Sequence, residues 1–194
     1  MREVRSRHPR FRRTVIEDAR VTAAYRGERY EFRSPTDAAL QALRLMWSSD
    51  AFMAQVLYRL KARLQSLGVP VLPRLAHRLA IAAGQVAIGD PVIMHPGIYI
   101  VHGHVVIDGF TEIHSGTTIA PFVTIGLRAG ELVGPTIGAH VQVGTGAKIV
   151  GRLRVGDGAR IGANAVVIDD VDDGATVVGV PARATQPGEP NERH

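Results

Sequence analysis

Eight histidines and no cysteine bound the chemistry available to this 194-residue chain. Without a thiol there is no disulfide framework, no cysteine-ligated zinc and no thiol nucleophile. No G-x-S-x-G elbow marks a serine nucleophile either, so acyl chemistry has to run through oxygen or nitrogen without an evident covalent intermediate. What remains is imidazole, which exchanges a proton near neutral pH. Two histidines, His102 and His104, lie in Val101-His102-Gly103-His104, where a regular spacing of aliphatic residues is interrupted. His95 and His114 directly follow aliphatic positions of that spacing and read as surface residues, while His77 and His140 have no motif around them. Gly144-Thr145-Gly146-Ala147-Lys148 has the look of a phosphate loop but lacks the G-x-x-x-x-G-K-S/T spacing.

The spacing that positions these residues has a period of six. Ile137, Val143, Ile149, Val155, Ile161 and Val167 follow one another by six, as do Ile107, Ile113, Ile119 and Ile125, and Ile88, Met94 and Ile100. Six residues of α-helix rotate by about 240°, which would scatter these side chains around the axis. A short strand ending in a corner keeps them all inward, so each hexad makes one side of a coil. Glycine follows four of the six from Ile137 to Val167, at Gly138, Gly144, Gly156 and Gly162, and small residues four after the aliphatic (Val141, Ala147, Ala159, Ala165) fit a narrow interior. Such an interior explains why aromatics are only 5% of the chain. The thirteen positions predict four to five coils. Functional residues in a repeat protein sit where the repeat fails, since regular coils are specified by packing. One break is the seven-residue step from Ile100 to Ile107. The other is the interval from Ile125 to Ile137, where Glu131 falls at an inward position and residues Leu127 to Gly134 are expected to leave the coil as a loop.

The first 83 residues have a helical period instead. Ser34-Pro35-Thr36-Asp37 reads as an N-cap, a proline at the first helical position and an acid in the first turn, with Leu40, Leu43, Met46 and Trp47 as an apolar face. A second helix is predicted from Ser49 to Leu67, with Phe52, Val56, Leu60, Leu64 and Leu67 on one stripe and Gly68 as terminator. A third follows Pro70 and uses Leu72, Leu75, Leu79 and Ala82. The expected organisation is a basic, partly disordered arm at residues 1–33, a helical unit at 34–83, a β-helix at 84–183 and a flexible tail at 184–194. Residues 1–83 carry 16 Lys/Arg against 7 Asp/Glu, yet these charges are spread along helices without aromatic interleaving, so no nucleic-acid partner is expected. No apolar run is long enough for a membrane span or a signal core, and the chain reads as cytoplasmic.

Repeats such as Ile161-Gly162-Ala163-Asn164-Ala165-Val166 resemble the left-handed parallel β-helix of hexapeptide-repeat acyltransferases. The helical start, the Tyr58-Arg59 helix, Val123-Thr124-Ile125-Gly126, the Gly144 to Lys148 coil and Gly179-Val180-Pro181-Ala182-Arg183 are most similar to serine O-acetyltransferases, over about residues 40 to 184. The resemblance implies a mainly β fold behind a small α-helical unit, acetyl-CoA as co-substrate, and direct acetyl transfer to a hydroxyl. It puts the catalytic base at His102, with His104 as the second candidate, and the coenzyme A contacts at Gly126, Leu127, Thr145, Ala163 and Arg160, the last replacing a family lysine. No metal is implied, because the zinc-binding relatives of this fold place two ligand histidines five apart and no two histidines here have that spacing. A homotrimer with shared active sites follows, in which the helical unit could join two trimers.

The chain departs from the family at several positions. The family's Asp before the histidine is Val101 here, and the Asp that pairs with the ring falls on Ala87, with Asp90 nearby but unmatched. Asp108 or Glu112 remain as ring partners, as do a backbone carbonyl and an acid on another subunit. The Arg-His pair that ends the family's loop is Val133-Gly134, leaving Arg128 as a substitute. Three functions are compatible with this pattern: serine O-acetylation, acyl transfer to another hydroxyl or amine acceptor such as a sugar or secondary-metabolite intermediate, and a non-catalytic scaffold. The end Pro190-Asn191-Glu192-Arg193-His194 is polar, so the family's docking into cysteine synthase is not expected.

Overall fold

Ile88, Ile107, Ile125, Ile149 and Val167 stack in parallel register on one face of a triangular prism. Met94, Ile113, Ile137, Val155 and Val171 form the second face, and Ile100, Ile119, Val143, Ile161 and Val177 the third. The computed structural model describes residues 7–185, so the parts of the arm and tail expectations that fall on 1–6 and 186–194 lie outside it. All thirteen predicted positions point inward, and the four-residue step from Val167 to Val171, which hexad counting missed, closes a fifth coil. Val141, Ala147, Ala159 and Ala165 are fully buried beside the aliphatic columns. The end of the prism is finished by an antiparallel strand, Arg183–Ala184, on Val177 and Val178.

Among the described residues, four helices sit over the first coil: α1 (Phe11–Tyr25), α2 (Pro35–Ser48), α3 (Asp50–Ser66) and α4 (Leu72–Gly84). The predicted cap at Ser34 is present, its Oγ accepting from the Asp37 N–H at 3.1 Å, and Ser49, at the predicted start of the second helix, caps it by accepting the Phe52 N–H at 3.3 Å. The predicted apolar faces of α2 and α4 are not present. Leu40, Leu43 and Trp47 of α2 point outward, Trp47 being 93% exposed, and so do Leu72, Leu75 and Leu79 of α4. The buried positions are Ala38, Ala42 and Leu45 on α2 and Pro73, Ala76, Ala80 and Gly84 on α4. Small residues win the interior because they let the helices approach closely; a Cβ at Gly84 would meet the Asp50 carbonyl and Ala54. Helix α1 occupies a stretch expected to belong to the arm. It buries Thr14, Asp18, Ala19, Thr22 and Ala23, a stripe too polar and small to register as an apolar period.

The reason for that stripe lies at the open end of the prism. The first coil has no coil before it, so its backbone groups need other partners. Helix α3 supplies donors to successive carbonyls: Gln55 to Ile98 at 2.9 Å, Tyr58 to Val92 at 2.7 Å, Arg59 to Met94 and, at 2.9 Å, to His95, and Lys61 to Ile88 at 2.6 Å. From α1, the Asp18 carboxylate accepts the Gly97 and Ile98 N–H groups at 2.8 and 3.2 Å and pairs with Arg59 Nε at 3.0 Å. Lys61 also pairs with Asp90 at 3.0 Å. Close by, burial first and then the Arg59 and Lys61 charges hold the His8 imidazole down to about 4.

Candidate active site

His102 lies at the corner joining the third face to the first. In the later coils this corner turns through a left-handed residue three after the inward aliphatic: Phe122 (φ 64°), Gly146 (φ 76°) and Asn164 (φ 56°). In the first coil the left-handed residue is His104 (φ 60°), four after Ile100. The seven-residue step is therefore one extra residue in the corner, which carries His102 outward. His104 stacks on Phe122 of the next coil, ring centroids 4.6 Å apart and planes 8° from parallel. The His102 ring has no side-chain hydrogen-bond partner among the described residues.

Both histidines line a pocket of about 360 Å³ between the corner and the helices, walled also by Arg26, Ser48, Ser49, Asp50 and Gln85 and floored by Gly84 and Gly103. The floor is formed by close backbone approach, since a Cβ at Gly103 would strike the Gly84 carbonyl. Asp50 comes from the first turn of α3 and Arg26 from the turn after α1. Sequence reading named neither residue. Asp50 carried a signal only as the acid following Ser49 at the start of the second predicted helix, and Arg26 had none, because its helix has no hydrophobic period.

The acids proposed to orient His102 within this chain are engaged elsewhere. Glu112 accepts from Arg7 at 2.6 Å and pairs with His95 Nε2 at 2.9 Å, and His95 stacks on His114 with centroids 4.6 Å apart. His95, Glu112 and His114 are close enough for their donor atoms to share a cation, but the guanidinium of Arg7 already takes the outer carboxylate oxygen. Hydrogen bonds to His95 and Arg7 keep the Glu112 carboxyl below its usual range against the opposing effect of burial. Asp108 accepts its neighbour Gly109 N–H at 2.8 Å and lines a separate pocket with Lys61, His77 and Asp90.

The expected coenzyme contacts fall into two groups. Thr145 and Ala163 lie on the same edge as His102, in the third and fourth coils, joined by the Asn164 N–H to the Thr145 carbonyl at 2.8 Å. Both are exposed, as is Arg160 on the third face, flanked in register by Gln142 and Thr176. Gly126 and Leu127 sit at the far end of the first face, at a different corner, where Leu127 packs over Gly109. Within one chain they do not join the His102 edge.

The second break leaves the coil as anticipated, with Glu131 displaced from the interior, but it ends sooner: Val133 and Gly134 are already in the strand Val133–Ile137. A side chain at Gly134 would run into the Thr111 hydroxyl, so the family's histidine cannot be accommodated there without a shift. Arg128 folds over Gly151 and donates to the Ile168 carbonyl at 3.4 Å, away from the His102 pocket.

Residues 134–169 match the bacterial transferase hexapeptide family (six repeats). A serine acetyltransferase of Synechococcus elongatus is 37% identical over 150 residues, 75% of this chain and 61% of that protein; the chain thus spans about three fifths of this relative's length. One from Helicobacter pylori J99 is 40% identical over 134 residues, 67% of this chain and 78% of that protein. Among solved structures, soybean serine acetyltransferase complexed with serine superposes with a TM-score of 0.76 at 27% identity, covering 93% of this chain and 71% of that one. A serine acetyltransferase complex with CoA gives 0.69 at 26% identity, covering 88% and 68%. With its three-faced hexapeptide prism, its helical cap and these relatives, the chain belongs to the serine acetyltransferase family.

Proposed function

We propose that the protein is an acetyl-CoA-dependent serine O-acetyltransferase in which His102 is the general base. The observation that carries this reading is the one extra residue in the first coil, which projects an imidazole into a pocket that also holds a carboxylate, Asp50. The serine hydroxyl gives its proton to the His102 imidazole as its oxygen attacks the thioester carbonyl. The C–S bond then breaks, and the thiolate leaving group takes the proton from the imidazolium, yielding O-acetylserine and free coenzyme A. Asp50 pairs with the acceptor's ammonium.

The coenzyme runs along the edge that carries His102, Thr145 and Ala163, a span of three coils or roughly 14 Å at about 4.8 Å per coil. Exposed backbone and small side chains at Thr145 and Ala163 leave room for the pantetheine arm, and Arg160 offers a cation to the phosphates. Gly126 and Leu127 contribute from the neighbouring prism of a homotrimer, which accounts for their separation from this edge within one chain. The enzyme works in the cytoplasm, where acetyl-CoA is available. A different hydroxyl or amine acceptor is favoured by one observation, the replacement of the family's Arg-His pair by Val133-Gly134.

Acceptor-dependent release of free thiol from acetyl-CoA tests the proposal, with L-serine set against sugars and other amino alcohols. Serine is expected to give the highest kcat/KM. Thiol release that no acceptor stimulates would overturn an enzymatic role, and release driven only by another acceptor would replace serine. Sedimentation at micromolar concentration is expected to give a trimer or a multiple of one, and a monomer would refute the shared site.

A further inference from the structure

We infer that Arg26 binds the carboxylate of the acceptor, an inference that rests on the serine acetyltransferase reading above. An amino-acid acceptor brings three polar groups to the site: a hydroxyl, an ammonium and a carboxylate. His102 and Asp50 account for the first two. The break between Ile125 and Ile137 offers no cation for the third, since Val133 is uncharged, Gly134 has no space for a side chain, and Arg128 is folded over Gly151.

Among the described residues that line the His102 pocket, Arg26 carries the one guanidinium and Asp50 the one carboxylate. A pocket walled by one fixed charge of each sign matches a zwitterion better than a sugar. Arg26 is held in place from three sides. Its neighbour Tyr25 stacks on Tyr99, three residues before His102, with centroids 4.7 Å apart and planes 13° from parallel. The chain then turns at Gly27 (φ 68°), and the Glu28 N–H returns to the Ala23 carbonyl at 2.8 Å. Glu28 Oε1 in turn accepts from Arg26 Nε at 2.8 Å.

That last contact uses the side edge of the guanidinium and leaves the pair of terminal nitrogens without a partner among the described residues. Two parallel N–H groups on that end are the arrangement that takes a carboxylate bidentately. Glu28 also lies 3.6 Å from Arg44, so its charge is shared and does not fully neutralise Arg26. The anchor thus comes from the helical cap and not from the prism loop.

The test is steady-state kinetics on the full chain with L-serine and with L-serinamide, which keeps the ammonium and hydroxyl but loses the carboxylate charge. Arg26→Gln is expected to raise the KM for serine about ten- to hundredfold, the range of a lost charged hydrogen-bond pair. The kcat for serine, the KM for acetyl-CoA and kcat/KM for serinamide should each stay within about threefold. Arg26→Lys, which keeps the charge and loses the fork, should recover only part of the serine KM. An unchanged melting temperature checks that the partly exposed side chain has no structural role. Equal losses on serine and serinamide, a raised KM for acetyl-CoA, or no change with serine would each overturn the inference while leaving serine acetylation intact. A wild-type protein that releases no thiol with serine would overturn both.

Discussion

Among the described residues, the three buried charged side chains, Asp18, Arg59 and Lys61, all lie in the helical cap, and none lies in the prism. The prism is held by repetition: each inward aliphatic packs on the same residue type one coil away, and strands of successive coils pair in parallel register. The cap is held by specific contacts, in which individual polar side chains satisfy individual backbone groups of the open first coil. The difference teaches where the vulnerable points of a solenoid lie. Its aliphatic columns are expected to tolerate conservative change, while its end depends on a few buried groups that cannot be exchanged singly.

Four measurements sharpen or break this contrast. The largest effect belongs to the pocket where the two regions meet. His102→Ala should lower acceptor-dependent thiol release by about 10²–10⁴-fold, the usual loss on removing a general base, with the KM for acetyl-CoA and the melting temperature unchanged. Turnover within about threefold of wild type, far below that range, would move the assignment to His104. In the cap, Asp18→Ala leaves Arg59 buried without its partner and strips the Gly97 and Ile98 N–H groups of an acceptor. A loss of about 3–5 kcal/mol in urea unfolding is expected. Replacing Asp18 and Arg59 together by leucine and methionine should cost less than Asp18→Ala alone. If the double change costs more, the clamp acts through its hydrogen bonds to the coil and not through the stranded charge.

In the prism, Ile125→Val removes one methylene from a fully buried column and should cost only about 0.5–1.5 kcal/mol. A larger loss would show that the column is as specific as the cap. The smallest effect is on pH dependence. The folded His8 ring sits at about 4, below its ordinary 6.5, because burial and the Arg59 and Lys61 charges disfavour the imidazolium. Its contribution is therefore full above about pH 6.5 and is lost as the pH falls toward 4. The ring is partly exposed, so His8→Gln should flatten the stability profile across that window by no more than about 1–2 kcal/mol. An identical profile in the variant would place the acid sensitivity elsewhere.

The two regions were unequally legible. A period of six has one interpretation, so the inward columns, both breaks and the displaced Glu131 could be read directly. In the cap the large apolar residues do not mark the buried face, because Leu40, Leu43 and Trp47, like Leu72, Leu75 and Leu79, point away from the interior. Helix α1 escaped notice since its buried stripe, Thr14, Asp18 and Thr22 with two alanines, has no hydrophobic period. Its polar residues are favoured there only because the prism's open end supplies donors and acceptors to match them, and no local pattern records that.

By itself, then, the sequence determined the coil count to within one, the helix cap at Ser34, the helix start at Ser49, and the corner that carries His102, because each depends on residues close together in the chain. Tertiary structure alone decided which acids are already engaged, that Gly134 has no space for a side chain, and that Arg26 and Asp50 share a pocket with a histidine more than fifty residues further on. Those relations join elements distant in sequence, and they exist only once α1 and α3 have docked on the first coil through Asp18, Arg59 and the backbone groups that the solenoid leaves open at its end.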